Sequence, residues 1–287
     1  MDILDGIAPL AGRYDGFVLD LWGVVHDGRR PYPGVVDALE RLRAAEKHVA
    51  FLSNAPRRSW VVEKQLAGMG IAKGVHYDGV ISSGELVWRH FDRRDTPFFE
   101  RLGSRVFHIG PERDHSVIEG LDLDFVDSPA QADLVLNTGP DPRRGPKSVE
   151  PYEETLAACA GLGLPMVCAN PDLAVMVAGE RLICAGALAE RYREMGGEVA
   201  EIGKPDPAVY PPVLDLIGVQ RRERVLAIGD SPHTDLAGAQ AAGLDAVWAL
   251  TGLAADAHGE DPSPDLLRKA LAEHAVEPLA ALRGLRW

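Results

Sequence analysis

Five residues scattered along the chain combine into one kind of chemistry. Asp20 closes the apolar run Phe17-Val18-Leu19, Ser53-Asn54 closes Val49-Ala50-Phe51-Leu52, and Gly229-Asp230 closes Arg224-Val225-Leu226-Ala227-Ile228. Lys204 sits in the loop Ile202-Gly203-Lys204-Pro205-Asp206-Pro207, and Asp235 follows shortly after Asp230. An acid at the carboxyl end of a buried strand lies where open α/β sheets bind their ligands. Carboxylates, a hydroxyl and a lysine at one crevice suit a phosphate and a divalent metal. A hard cation such as Mg²⁺ takes carboxylate and carbonyl oxygens, and a phosphoryl group in transfer needs its oxygens neutralised. Asp20 can coordinate the cation with one oxygen and attack phosphorus with the other. Singly, each residue has a plainer role. A strand-end Asp forms turns, Ser53-Asn54 before Pro56 is a turn, Lys204 is a solvated loop lysine, and Asp235 caps a helix. The order, spacing and shared rim of the set favour the site.

The elements that must hold these residues follow from periodicity. A strand over Val18 to Asp20 is followed by a helix with Val35, Val36, Leu39 and Leu42 on one face. A strand over Val49 to Leu52 precedes a helix from Ser59, read as its N-cap, to Met69, and Val80-Ile81 is a third strand. This alternation predicts a parallel, doubly wound sheet. Residues 84–199 read as an inserted α/β unit, with strands at Arg105–Ile109, Asp124–Val126, Leu134–Leu136 and Pro165–Ala169 and helices at Pro151–Ala160 and Gly186–Met195. The first unit then resumes with a helix carrying Val209, Val213, Leu214 and Ile217, a strand at Arg224–Ile228, a helix from near Asp235 to Gly243, and a strand at Ala246–Leu250. An amphipathic helix with Leu266, Leu267 and Leu271 leads to a weakly defined end. The fold class is α/β: a Rossmann-like core of residues 1–83 and 200–287 with residues 84–199 inserted.

A chain of 287 residues with 46 % hydrophobic content supports about two domains with real cores. The net charge of −13 argues against nucleic acid or an anionic membrane as partner. Met1-Asp2-Ile3-Leu4-Asp5 lacks the basic start of a secretory signal. The apolar stretch Leu173 to Leu188 is broken by Glu180 and Arg181, so it is no membrane span. Cys159, Cys168 and Cys184 have no CxxC spacing and read as buried, reduced thiols of a cytoplasmic protein.

The motif set resembles the haloacid dehalogenase superfamily of hydrolases. Leu19-Asp20-Leu21-Trp22-Gly23-Val24 matches motif one, Phe51-Leu52-Ser53-Asn54 motif two, Gly203-Lys204-Pro205 motif three, and Ile228-Gly229-Asp230-Ser231-Pro232-His233-Thr234-Asp235 motif four. The insert, with Asn170-Pro171-Asp172 followed by Gly186-Ala187, resembles the cap of the class IIA branch, which includes nitrophenyl-phosphatase and phosphoglycolate/pyridoxal-phosphate phosphatase relatives. The resemblance implies that Asp20 forms an aspartyl-phosphate, that Ser53 and the amides of Asn54 and Ala55 hold phosphate oxygens, and that Lys204 offsets their charge. It implies Mg²⁺ on Asp20, Asp230 and the carbonyl of Trp22, supported by Asp235. Asn170 and Asp172 are implied substrate contacts, the substrate being a small phosphorylated metabolite. A homodimer through the cap, as in relatives, is compatible with the resemblance.

One position departs from the pattern. Family phosphatases place a general acid/base Asp two residues after the nucleophile, where this chain has Trp22. Such a group is worth ~10²–10⁴-fold in rate. Four readings follow: a phosphatase whose proton comes from water, His26 or Asp27; a phosphatase acting on a substrate with a good leaving group; a metal-independent dehalogenase, since family dehalogenases carry an aromatic there; or a phosphate-ligand-binding protein with little turnover. Having both Asp230 and Asp235 favours the Mg²⁺-dependent phosphatase. Trp22 itself either packs under the cap or stacks on the substrate. Arg143, Arg144 and Lys147 form a basic cluster that reads chiefly as solvated loop.

Overall fold

A computed structural model describes residues 1–259 and 261–287. The apolar runs become strands. The first four are β1 (Ile3–Leu4), β2 (Gly16–Leu19), β3 (His48–Ser53) and β4 (Gly79–Ser82). The insert contributes β5 (Arg105–Ile109), β6 (Asp124–Val126), β7 (Leu134–Asn137), β8 (Met166–Cys168), β9 (Ala174–Val177), β10 (Glu180–Ile183) and β11 (Val199–Glu201). The chain then returns through β12 (Val225–Gly229), β13 (Asp245–Ala249) and β14 (Ala280–Leu282).

One seven-stranded sheet has the order β1-β14-β13-β12-β2-β3-β4, and every pairing in it is parallel. Helices cover both faces, so alternate residues of one strand enter different cores. Phe17, Leu19, Phe51 and Ile228 pack under the helices Val35–Ala44 and Ser59–Gly68. Val18, Leu52, Ala227 and Trp248 face the helices Tyr210–Ile217 and Pro264–His274. Strand order runs outward in opposite directions from the β2–β12 pair. Asp20 and Asp230 follow these two strands, so both lie at the topological switch point.

The second sheet has five parallel strands in the order β11-β8-β7-β5-β6 and its own cores on both faces. Strands β9 and β10 form a separate antiparallel hairpin. Cys159, Cys168 and Cys184 are free and buried. Among the described residues no helix is long and apolar enough to cross a membrane.

Several local expectations are corrected. The weakly defined end is β14, which docks between β13 and β1. Strands this short, one of them Ala-Ala-Leu, carry no readable alternation. The apolar stretch after Leu173 contains the β9–β10 hairpin, which turns through Ala178 and Gly179 at φ of 50° and 85°. Ser59 is the first helical residue rather than the cap. Arg58 precedes it, and the Glu85 carboxylate accepts from the Ser59 N–H at 3.4 Å. Asp235 does not cap the helix after β12. Ser231 does, its hydroxyl accepting from the Thr234 N–H at 3.3 Å, and the Asp235 side chain turns inward. Strand β11 pairs with β8, so the second sheet reaches Glu201.

Candidate active site

The site is assembled around one lysine. The Lys204 ammonium donates to Asp20 Oδ1 at 2.6 Å, to Asp235 Oδ1 at 2.6 Å and to the Leu52 carbonyl at 2.9 Å. Three protons meet three acceptors, and Lys204 is only 3 % exposed. The lysine therefore ties together the ends of β2 and β3 and the turn after β12. The Asp20 N–H donates to the Ile228 carbonyl at 2.9 Å, fixing the acid against β12.

Each remaining carboxylate is aimed by main-chain donors. Asp235 Oδ2 accepts from the Ser231 N–H at 3.1 Å, and Asp230 Oδ2 from the Leu253 N–H at 2.7 Å. Two glycines make room for Asp230. Gly23 and Gly252 lie at φ of +81° and +55°, and a Cβ on either would overlap the Asp230 carboxylate. The Thr251 hydroxyl donates to the Gly23 carbonyl and holds the two loops together.

Oxygens of Asp20, Asp230 and Asp235 all lie within 4.8 Å of one another. Desolvation and neighbouring carboxylates raise the Asp230 carboxyl well above its ordinary range. Desolvation also raises Asp20, with Lys204 opposing and Asp235 adding to the shift. Burial alone would lower the Lys204 ammonium, but Asp20, Asp235 and Asp172 outweigh it and hold the ammonium well above the usual lysine range. One lysine cannot balance this cluster. Among the described residues, Asp20 Oδ2 and Asp230 Oδ1 have no protein donor, whereas both oxygens of Asp235 are engaged. The donor set fits a divalent oxygen-loving cation, with Asp20 and Asp230 able to ligate it and Asp235 orienting the lysine.

The loop after β3 completes the floor. Ser53 Oγ accepts from the Ala55 N–H at 3.2 Å. The Asn54 side chain acts as a clamp: its amide donates to Asp172 Oδ1 at 2.9 Å and to the Lys204 carbonyl at 3.1 Å, and its Oδ1 accepts from the Lys204 N–H at 2.8 Å. Asn170 Oδ1 in turn accepts from the Asp172 N–H at 3.0 Å. The Asn-Pro-Asp segment of the insert is thus held directly over the lysine loop.

A cavity of about 140 Å³ lies between the two sheets, and Asp20, Ser53, Asn54, Ala55, Asn170, Asp172, Lys204, Asp230 and Asp235 all line it. Trp22 lines it too. Its ring packs so closely on Gly28 that a Cβ there would collide with it, and it meets His26 edge-on at 5.0 Å. His26 and Asp27 are not on the cavity wall. His26 is 1 % exposed, its Nδ1 accepts from the Gly28 N–H at 3.0 Å, and burial pushes it down to about 4. Asp27 accepts from the amides of Arg29 and Arg30, both at 2.9 Å. The basic loop is likewise engaged elsewhere: Arg143 pairs with Asp141 at 3.1 Å, and Lys147 with Glu180 at 3.6 Å. Pattern reading passed over Gly252, Arg57, Arg113 and Asp114, the last three of which also line the cavity. For Gly252, the only signal is a glycine just after an apolar strand.

Residues 17–124 match the model of haloacid dehalogenase-like hydrolases, and residues 201–275 match a second model of the same kind. The structure superposes on a hydrolase of the haloacid dehalogenase-like family from Brucella suis with a TM-score of 0.82, at 31 % identity over 98 % of this chain and 99 % of that one. Human chronophin is 28 % identical over 259 residues, covering 86 % of this chain and 84 % of its own. The glycerol phosphate phosphatase of Mycobacterium tuberculosis, solved in complex with magnesium, aligns at 25 % identity and a TM-score of 0.64, over 87 % of this chain and 71 % of that one. The protein belongs to the haloacid dehalogenase-like hydrolases. Within them, the large α/β insert between motifs two and three puts it in the class IIA branch.

Proposed function

We propose that the protein is a Mg²⁺-dependent phosphatase of a small phosphorylated metabolite, with Asp20 as nucleophile and residues 84–199 as cap. The observation that carries this reading is Lys204 bridging Asp20 and Asp235 at 2.6 Å each, beside Asp230. A bound divalent cation supplies charge neutralisation for the phosphoryl oxygens and for the buried acids. Asp20 and Asp230 would hold it, with the Trp22 carbonyl as a further ligand.

Lys204 fixes Oδ1 of Asp20, so the carboxylate meets phosphorus in a single orientation. Asp20 attacks, the bond from phosphorus to the ester oxygen breaks, and that oxygen leaves with the electron pair. Ser53 and the Asn54 and Ala55 amides receive the phosphoryl oxygens, which requires the Ala55 N–H to turn from Ser53 Oγ toward the ligand. Water then attacks phosphorus, the bond to Asp20 breaks, and phosphate departs with the carboxylate restored.

Position 22 supplies no acid, and neither His26 nor Asp27 reaches the cavity. Without an acid at position 22, a leaving oxygen that can depart as an anion has the advantage, which favours phenolic or acyl phosphates over simple alkyl ones. Trp22 offers such a substrate an aromatic face. The uncompensated Asp230 argues against a metal-free dehalogenase. The test is phosphate release across a panel of metabolite and aryl phosphates with Mg²⁺, with Asp20→Asn as control. Asp20-dependent release that is lost on chelation supports the reading. Halide release without metal, or no release from any compound, overturns it.

A further inference from the structure

The reading above leaves one cation on the cavity wall without a task. Arg113 lies in the short helical turn Glu112–Ile118 of the insert and faces the cavity together with Arg57, Asp114 and Thr138. Arg57 is committed: its Nε donates to Asp114 Oδ1 at 2.7 Å and its Nη1 to Gln65 at 3.4 Å. Asp114 is 2 % exposed. Thr138 is held by His108, with Oγ1 and Nε2 at 2.8 Å. Arg113 Nε stands 3.9 Å from Asp114 Oδ1, too far for a hydrogen bond, and among the described residues its guanidinium donates none. The nearby Asp141 is neutralised by Arg143. Two guanidiniums therefore share one carboxylate, which leaves that group of three with one surplus positive charge.

The same cavity also has apolar walls. Pro140, Val175, Met176 and Leu182 line it from the insert, and Trp22 from the core. A ligand whose phosphate sits on Asp20 shares its cavity with these side chains and with Arg113.

We propose that Arg113 binds a carboxylate at the far end of the substrate, so that the substrate class is a phosphomonoester with an apolar body and a terminal carboxylate. This rests on the phosphatase reading. A monoanion matches the single unbalanced charge, and the planar guanidinium fork matches a carboxylate. The Arg113 side chain is 61 % exposed, which keeps the contact accessible and limits its strength to about tenfold in affinity.

The test compares hexyl phosphate with 6-phosphonooxyhexanoate, which differ only at the far end. Calorimetry on the Asp20→Asn protein with Mg²⁺ gives the two dissociation constants without turnover. The carboxylated ligand is expected to bind about tenfold more tightly, and Arg113→Gln to abolish that preference. Equal affinities with Arg113 present, or a preference that survives Arg113→Gln, overturn the inference. Phosphate release from the metabolite and aryl phosphate panel by the unmutated protein reports on the phosphatase reading separately. Release from that panel with equal affinities for the two ligands overturns the role of Arg113 alone, whereas no binding of either ligand and no release from the panel overturns both.

Discussion

Trp22 and Lys204 decide most at the scale of single residues. If the missing acid limits turnover, Trp22→Asp should raise kcat on alkyl phosphates by about 10²-fold or more, and much less on nitrophenyl phosphate, whose leaving group needs no proton. Equal gains on both would show that the tryptophan acts by shape instead. Lys204→Met leaves buried carboxylates unpaired and should cost about 3–5 kcal/mol of stability. Part of that loss should return on adding Mg²⁺, read as a larger rise in melting temperature than the parent shows. The parent itself should melt higher with Mg²⁺ by mass action, and Asp230→Asn should weaken that rise. His26 gives a pH prediction. Its folded form is pushed down to about 4 by burial, below the ordinary value of 6.5. Between those values the unfolded chain holds the extra proton, so stability is full above about pH 6.5 and falls as the pH drops toward 4. Denaturant titrations of His26→Asn should show a pH slope shallower by about 1.4 kcal/mol per unit in that window.

Elements differ in how openly the sequence announces them. β2, β3 and β12 are buried on both faces, so each reads as a continuous apolar run ending in its functional residue. β1 and β14 are two and three residues long and exist because of their neighbours: Ala281 pairs with Trp248 on one side and Ile3 on the other. The β9–β10 hairpin was hidden for another reason. All four residues of β9, Ala174 to Val177, line the cavity, so the strand is apolar without alternating. Leu282, fully buried in the first core, tests the importance of the edge. Leu282→Ala should cost about 2–5 kcal/mol, measured by chemical denaturation.

For the whole molecule, the site is a seam between two sheets. The core contributes Asp20, Ser53 and Asp230, and the insert contributes Asn170 and Asp172. Asn54 stitches them, and the Ser83 hydroxyl reaches the Ile202 carbonyl where the chain enters and leaves the insert. The four motifs were legible because each is a contiguous string. The contacts of Asn54 with Asp172 and Lys204 were not, because they join residues more than a hundred positions apart. Asn54→Ala should therefore loosen the closed arrangement. Hydrogen exchange should rise over residues 168–174, and kcat/KM should fall by about tenfold or more, while the global melting temperature changes little.

The pairing of β1 with β14 also bears on how the protein is born. Strand β1 is made first, yet its partner comprises residues 280–282. At about 5–20 residues per second, roughly a quarter of a minute to a minute passes between them. β2, β3 and β4 can pair during that interval, since they are consecutive in the sheet. The β12 side of β2 must wait for the whole insert to be synthesised. A nascent chain stalled within the insert would thus leave the main-chain donors and acceptors of β2 unpaired along an open edge, with Val18 and Leu52 uncovered because the helices that pack on them are not yet made, a natural place for a chaperone to hold it.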